Sequence, residues 1–405
     1  MVTGDEFPLP GSSYRGPAPQ FTRFRAEQPV VRLPATGGGH AWLVTRYDDV
    51  RAVLDDVRFS RAASYAPEAP RFPGLFQAPP GMIISLDPPE HTRLRTLVAQ
   101  AFSVERIENM RPRVRELVDE LLDSADADAA TAPVDLLGRF TFPLALTVIA
   151  ELLGVPPEDQ QRFSVWIRRF AAVDGPQDEA IAAREQLGEY MAGLVMSKTA
   201  EPGDDVLSAL VRARIGDDHL DVGELIGLGY TLLGAGGDST ACQLASSVVT
   251  LLVHEQDTWT RLGKHPDEVP AAVEELLRWV NLPTNDTSGL PRIALQDVEI
   301  VGVTIPKGDA VFVSITSANR DEAVFTSPDE LDFSRGGEHL AFGHGIHHCL
   351  GAPLARIELV TALRELTRRF PDARLAVAEQ ELRWQPADMN HRLLELPVDL
   401  HGRGF

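Results

Sequence analysis

The chain has 405 residues, 44% hydrophobic and 24% charged, which is ample for a large buried core and ordinary for a globular enzyme. Its net charge of −21 argues against nucleic acid and anionic membranes as partners. The two cysteines, Cys242 and Cys349, form no disulfide framework, and with Asp5, Glu6 and two early prolines at the start, neither a signal peptide nor a membrane anchor is expected.

In chain order, residues 1–20 read as a loosely ordered arm. Val30 to Leu33 and Trp42 to Thr45 read as strands, and Asp48 starts a short helix ending near Leu54. Seven of the 30 prolines lie between Pro67 and Pro89, which predicts a stiff, irregular loop around Tyr65, Phe72, Phe76 and Met82. Asp87-Pro88-Pro89-Glu90-His91 reads as a helix start that places His91 and Arg95 four apart on one face. Helical patterns cover 104–123, 141–154, 158–172, 178–197, 204–214, 224–252, 267–280 and 350–370, with Ser124 to Ala132 as a loop. Val298 to Ile305 and Ala310 to Ile315 read as strands of one sheet, separated by Pro306-Lys307-Gly308. The segment from Glu224 to Leu252 is apolar but too interrupted by Gly and Asp for a membrane span, so it reads as a helix crossing the core.

The most informative run is Phe342-Gly343-His344-Gly345-Ile346-His347-His348-Cys349-Leu350-Gly351. Glycines at 343, 345 and 351 let the backbone pass close to a flat group. Leu350, Leu354, Ile357, Leu363 and Leu366 recur at helical spacing, so a helix N-terminus follows the thiol and favours its thiolate. That setting reads as an axial ligand to haem iron, because a thiolate donates electron density to the metal. Two plainer readings compete: an inert thiol, or a zinc cluster of His339, His344, His347, His348 and Cys349. Structural zinc sites usually use paired cysteines, and Cys242 lies far away in an apolar segment. Neither alternative accounts for the glycine pattern.

Phe342-x-x-Gly345-x-His347-x-Cys349-x-Gly351 resembles the haem-binding signature of the cytochrome P-450 family, and the resemblance extends over nearly the whole chain. It implies a fold that is mainly α with small β-sheets, a single triangular-prism-like domain over 1–405. It further implies that Cys349 binds the iron of haem b (iron protoporphyrin IX). His91, Arg95, Arg292 and His347 would meet the haem propionates, for which arginine supplies a bidentate fork.

Asp238-Ser239-Thr240 resembles the family's acid–alcohol pair, where a local helix distortion makes room for oxygen and Asp238 relays protons. Serine stands where the family usually has threonine; it keeps the hydroxyl but loses the methyl that limits its rotamers. Glu275, Arg278 and Arg335 resemble the Glu-Arg-Arg triad that pins the cysteine loop. The implied activity is monooxygenation of a small hydrophobic or natural-product substrate with O2 and two electrons. The electrons would come from NAD(P)H through a ferredoxin reductase and a ferredoxin.

A monomer in the cytoplasm is expected, with Arg93, Arg106, Arg111, Arg113 and Arg356 as a docking face for the acidic ferredoxin. Candidate substrate contacts are Phe72, Phe76, Met82, Trp166, Ala235, Thr284, Asn285, Met389 and Asn390. Other readings of a haem-thiolate chain are coupling of two aromatic rings without oxygen insertion, peroxide-driven oxidation, and a non-catalytic haem sensor.

Overall fold

A computed structural model describes residues 4–72, 81–129, 132–160, 162, 166, 177–287, 290–385 and 389–404. Phe76 and most of the helix expected at 158–172 lie outside them. The described chain divides into two compact units, each discontinuous in sequence. Because the chain passes from one to the other several times, no single cut separates them, and length is a poor guide to domain count.

The first unit comprises Met1–Arg93, Glu274–Cys349 and Met389–His391. Its five-stranded sheet runs in the order Val30–Pro34, His40–Val44, Ala310–Val313, Arg292–Ala294, Phe59–Ser60. Val30 faces Val44 in an antiparallel pair, Val311 lies parallel beside Trp42, and Ser60 faces Ile293 antiparallel. Side chains alternate across this sheet with a period of two. Val31, Leu33, Leu43 and Phe312 pack on Phe7, Phe21 and Phe24. Val30, Val44, Val311 and Val313 pack on Val50, Val53 and Leu54 of the helix Tyr47–Asp55.

Two expectations are corrected here. The arm is not loose: Phe7 is buried, its amide donates to Pro34 O at 2.9 Å, and its carbonyl accepts from Thr36 N at 2.9 Å, because one sheet face needs an apolar cover. Val298 to Ile305 does not join the large sheet. Val301 and Gly302 both take positive φ, 52° and 72°, so the segment folds back and Val298–Ile300 pairs with Val303–Ile305. Successive positive φ values are what a tight hairpin turn requires.

The second unit comprises Leu94–Val273, Leu350–Asp388 and Arg392–Phe405 and is helical. The helix Val104–Asp128 starts on Ser103, whose side chain accepts from Arg106 N. It continues through residues 124–128, where a loop was expected. Alanine is the best helix former, and Leu122 and Ala125 prolong its buried stripe. The central helix, Val222–His254, has 33 residues and opens on a reciprocal cap between Asp221 and Glu224. It packs closely on the helix Phe142–Leu153. A methyl group added at Gly236 would meet Ile149 Cδ1 at 2.9 Å, and one at Gly237 would meet Leu146 Cδ2 at 2.6 Å. The helix is continuous through Asp238, so the expected distortion does not interrupt it; close helix packing is what the two glycines serve here.

Candidate active site

In the first unit the cysteine loop is shaped by its own backbone. Cys349 N donates to Phe342 O at 2.8 Å, Gly343 N to Leu340 O at 2.8 Å, and His348 N to Gly345 O at 3.0 Å. Gly345 sits at φ +68° with Leu54 O 2.8 Å from where a Cβ would stand, so position 345 accepts no side chain without displacing backbone. The loop is tied down by Tyr47 Oη donating to Glu338 O at 2.6 Å and by Leu340 N donating to Asn319 Oδ1 at 2.7 Å. Cys349 is an exposed thiol at its end, outside any disulfide, whereas Cys242 is buried in the central helix. The helix Ala352–Arg369 starts three residues after the thiol.

The histidines of the loop do not converge. His344 Nε2 lies 2.9 Å from Asp55 Oδ2, His339 Nε2 lies 3.1 Å from Glu274 Oε2, and the His347 ring stands 4.4 Å from that of His91. Among the described residues no group of three or more His, Cys, Asp or Glu side chains could hold a metal ion.

The expected triad assembles. Arg278 clamps Glu275 through Nε at 2.8 Å and Nη2 at 2.7 Å, and Arg335 Nε reaches the same carboxylate at 3.1 Å. Arg278 spends its other donors on the carbonyls of Asn319, Pro328 and Glu330. Asp332 N also donates to Glu275, so the segment leading to the cysteine loop is fixed at its root.

Arg292 is different. It lies in the strand Arg292–Ala294, 3% exposed, and both Nη1 and Nη2 lack a hydrogen-bond partner among the described residues. Burial lowers its pKa to about 10, opposed by the charge of Asp87. His91, 2% exposed, belongs to the same unit, and Arg95 follows one turn later on the helix Glu90–Ala101. Sequence reasoning missed Arg61, which directly follows the strand Phe59–Ser60, caps the short helical turn Ala62–Tyr65 and is 6% exposed. Its signal is the pairing of that strand with the one that carries Arg292, which a single sequence does not display.

Of the expected substrate contacts in this unit, Thr284 N donates to Met389 O at 3.2 Å, and Pro283 and Asn390 form a β-bridge. Those residues therefore meet. Asn285 Oδ1 is occupied locally by Thr287 N at 3.1 Å and Oγ1 at 2.9 Å. Phe72 packs edge-on against Phe312, 4.9 Å between centroids, and so belongs with the sheet core. Met82 is half-buried, just before a short turn of helix.

In the second unit, Asp238 is buried on the central helix and Arg392 Nη2 lies 2.6 Å from its Oδ1. The N–H is not aligned for a hydrogen bond, so this is a contact of charges. The Arg392 guanidinium also lies 5.6 Å over the Phe142 ring. Ser239 Oγ donates to Ala235 O at 2.7 Å, and Thr240 is buried. The Trp166 ring lies tilted at 53° and 5.6 Å from that of Tyr190, beside a surface groove of about 510 Å³ shared with Arg162, Gln186 and Glu189. Two arginines expected to dock a ferredoxin are occupied: Arg111 by Glu108 at 2.9 Å, and Arg113 by Glu151 at 3.0 Å and Glu116 at 3.2 Å.

Comparison with known proteins matches this geometry to a class. The Cytochrome P-450 family model matches residues 196–372. Nocardicin C N-oxygenase of Nocardia uniformis subsp. tsuyamanensis is 46% identical over 383 residues, 94% of each chain. Mycinamicin IV hydroxylase/epoxidase of Micromonospora griseorubida is 44% identical, over 94% of this chain and 95% of that one. A crystallised variant of the mixed-function P-450 MycG, in complex with mycinamicin V, superposes with TM-score 0.90 at 43% identity, covering 97% of this chain and 99% of that one. The P-450 hydroxylase LnmA from the leinamycin pathway of Streptomyces atroolivaceus superposes with TM-score 0.90 at 42% identity, covering 98% and 100%. The chain belongs to the cytochrome P-450 family, as a monooxygenase that works with haem iron, O2 and a redox partner. Among the described residues no helix is long and apolar enough to cross a membrane.

Proposed function

We propose that this monooxygenase binds haem b through the Cys349 thiolate and oxidises a natural-product scaffold. The observation that carries the reading is an exposed thiol, fixed by its own amide, in the unit that also buries Arg292, whose Nη1 and Nη2 have no hydrogen-bond partner among the described residues. A buried cation with open donors fits a carboxylate, and haem has two. His91, Arg95, Arg292 and His347 would hold those propionates. When bound, the haem supplies the oxygen-activating chemistry.

The chain's own residues do the rest. Glu275, Arg278 and Arg335 keep the cysteine loop in register. Asp238 holds a proton-accepting carboxylate inside the helical unit, and Ser239 offers a hydroxyl beside it for proton delivery, with Thr240 next in line. For Asp238 to hand on a proton it must first part from Arg392, so that pair is the resting state of the relay.

Electrons come from NAD(P)H by way of a ferredoxin reductase and a ferredoxin, and the chain acts as a monomer in the cytoplasm. The names of the relatives, an N-oxygenase of nocardicin C and a hydroxylase/epoxidase of mycinamicin IV, support an antibiotic-type substrate carrying polar groups. Thr284, Met389 and Asn390 are the contacts proposed for it.

Reduced wild-type protein exposed to carbon monoxide should give a thiolate-type haem spectrum that Cys349→Ala loses. A colourless wild-type preparation after haem supplementation would end the reading. Turnover with a ferredoxin, its reductase and NADPH should add one oxygen to the product mass. Loss of hydrogen without added oxygen would point to ring coupling instead.

A further inference from the structure

A second buried guanidinium stands beside Arg292. Phe59 faces Ala294 and Ser60 faces Ile293 in antiparallel register, and Arg61 follows directly, where the chain leaves that strand for the short helical turn Ala62–Tyr65, close enough for the charge of Arg292 to act on it. Arg61 is more than nine-tenths buried, and its Nε and Nη1 have no hydrogen-bond partner among the described residues. The two like charges feel each other: Arg292 is among the causes that hold the Arg61 pKa well below the usual arginine value, after burial itself.

One acid acts on both arginines, Asp87. Its oxygens are already engaged. Asp87 accepts from the Ser60 hydroxyl, from Arg61 N at 2.9 Å and from Ala62 N at 3.2 Å. It thus anchors the backbone at this corner without pairing either guanidinium. Two cations and one anion leave one positive charge over, enclosed and with open N–H donors. Burying such a charge is costly unless an anion completes it.

We propose that Arg61 and Arg292 together form a cradle for a single carboxylate, and that a haem propionate is its occupant. Arg61 is thereby a cofactor-binding residue of this chain, in addition to His91, Arg95, Arg292 and His347. The assignment rests on the haem reading. The bare chemistry, a carboxylate between two guanidiniums, also suits a carboxylate on a substrate, and the experiment separates the two.

Wild-type, Arg61→Gln and Arg61→Lys proteins, each loaded with haem or with haem dimethyl ester, are mixed with excess apomyoglobin and haem transfer is timed. With haem, Arg61→Gln should release it about tenfold faster than wild type, the worth of one or two charge-assisted hydrogen bonds, with Arg61→Lys in between. With the uncharged diester, wild type and Arg61→Gln should release at the same rate.

Equal rates with ordinary haem overturn the proposal. An acceleration that persists with the diester also overturns it, since Arg61 would then be acting on the fold. Unchanged haem release combined with weaker spectral binding of naphthoic acid, but not of its methyl ester, would move the carboxylate to the substrate and overturn the haem assignment. Should Arg61→Gln fail to fold, as judged by circular dichroism of the apoprotein, the lysine variant carries the same comparison. A wild-type protein that takes up no haem at all would defeat the P-450 reading itself, a result distinct from each of these.

Discussion

Arg278 and Arg292 are both buried to within 3% of complete enclosure in the same unit, and they differ in what their donors do. A guanidinium has five N–H groups. Arg278 directs two at Glu275 and three at the carbonyls of Asn319, Pro328 and Glu330, so nothing is left over. Among the described residues Arg292 Nη1 and Nη2 have no hydrogen-bond partner, and neither have Arg61 Nε and Nη1 nearby. Saturation marks a residue that holds protein to protein. Open donors on an equally buried residue mark one that holds something else.

The largest expected effect separates these two arginines. Arg278→Gln takes two of the four bonds from the buried Glu275 carboxylate, leaving only those from Arg335 and Asp332 N, and leaves three carbonyls without their donor, which should cost about 3–5 kcal/mol of apoprotein stability in urea unfolding. Arg292→Gln removes an unmatched charge instead. Its apoprotein should be no less stable than wild type, while the holoprotein loses haem faster. Equal destabilisation of the two apoproteins would erase the distinction between saturated and open arginines.

How much of this is legible in the sequence follows the same line. Cys349, the glycines around it and the Glu275/Arg278 spacing are local patterns, and each lies where its neighbours in sequence imply. The hairpin at Val301-Gly302 was missed because its signal is a pair of backbone dihedrals, and valine is a poor advertisement for positive φ. The buried arm was missed because Phe7 and Leu9 are too few to show a period, yet they complete one face of a sheet whose strands lie far along the chain. Arg61 and Arg392 acquire meaning only through partners at Arg292 and Asp238, and long-range pairing of charges leaves no trace in one sequence.

A smaller effect is expected at Asp238, which extends the contrast to the helical unit. Its ion pair with Arg392 is closed in charge but not aligned as a hydrogen bond, so it should break more readily than the Glu275–Arg278 clamp. Asp238→Asn should lower turnover about 100-fold, within the range for loss of a proton-transfer group, and leave haem content unchanged. Arg392→Gln keeps the acid but removes its counter-charge. The double variant should be no slower than Asp238→Asn alone, because Arg392 acts through that carboxylate. Additive losses would show that Arg392 serves some other group.

His391 offers a third solution to burying a basic group, which is to give up the proton. Burial pushes its pKa down to about 4, and Nε2 lies 3.3 Å from Ser12 Oγ, whose hydroxyl donates to Asp286 at 2.6 Å. An unfolded histidine titrates near 6.5, so between there and pH 4 the unfolded chain takes up a proton that the folded chain refuses. Stability from this group is therefore complete above pH 6.5 and is lost as pH falls towards 4, by roughly 2–3 kcal/mol. Asp286 runs the other way. Burial raises its pKa to about 6 despite the bonds from Ser12, Ala18 N and Asn281, so its contribution grows as pH falls through that value. Subtracting His391→Gln from wild type isolates the histidine: the urea stability difference should shrink from pH 7.5 to pH 4.5. A difference that grows as pH falls would mean the ring is held charged in the fold and belongs with the arginines after all, and one that is constant with pH would mean that folding leaves its proton affinity unchanged.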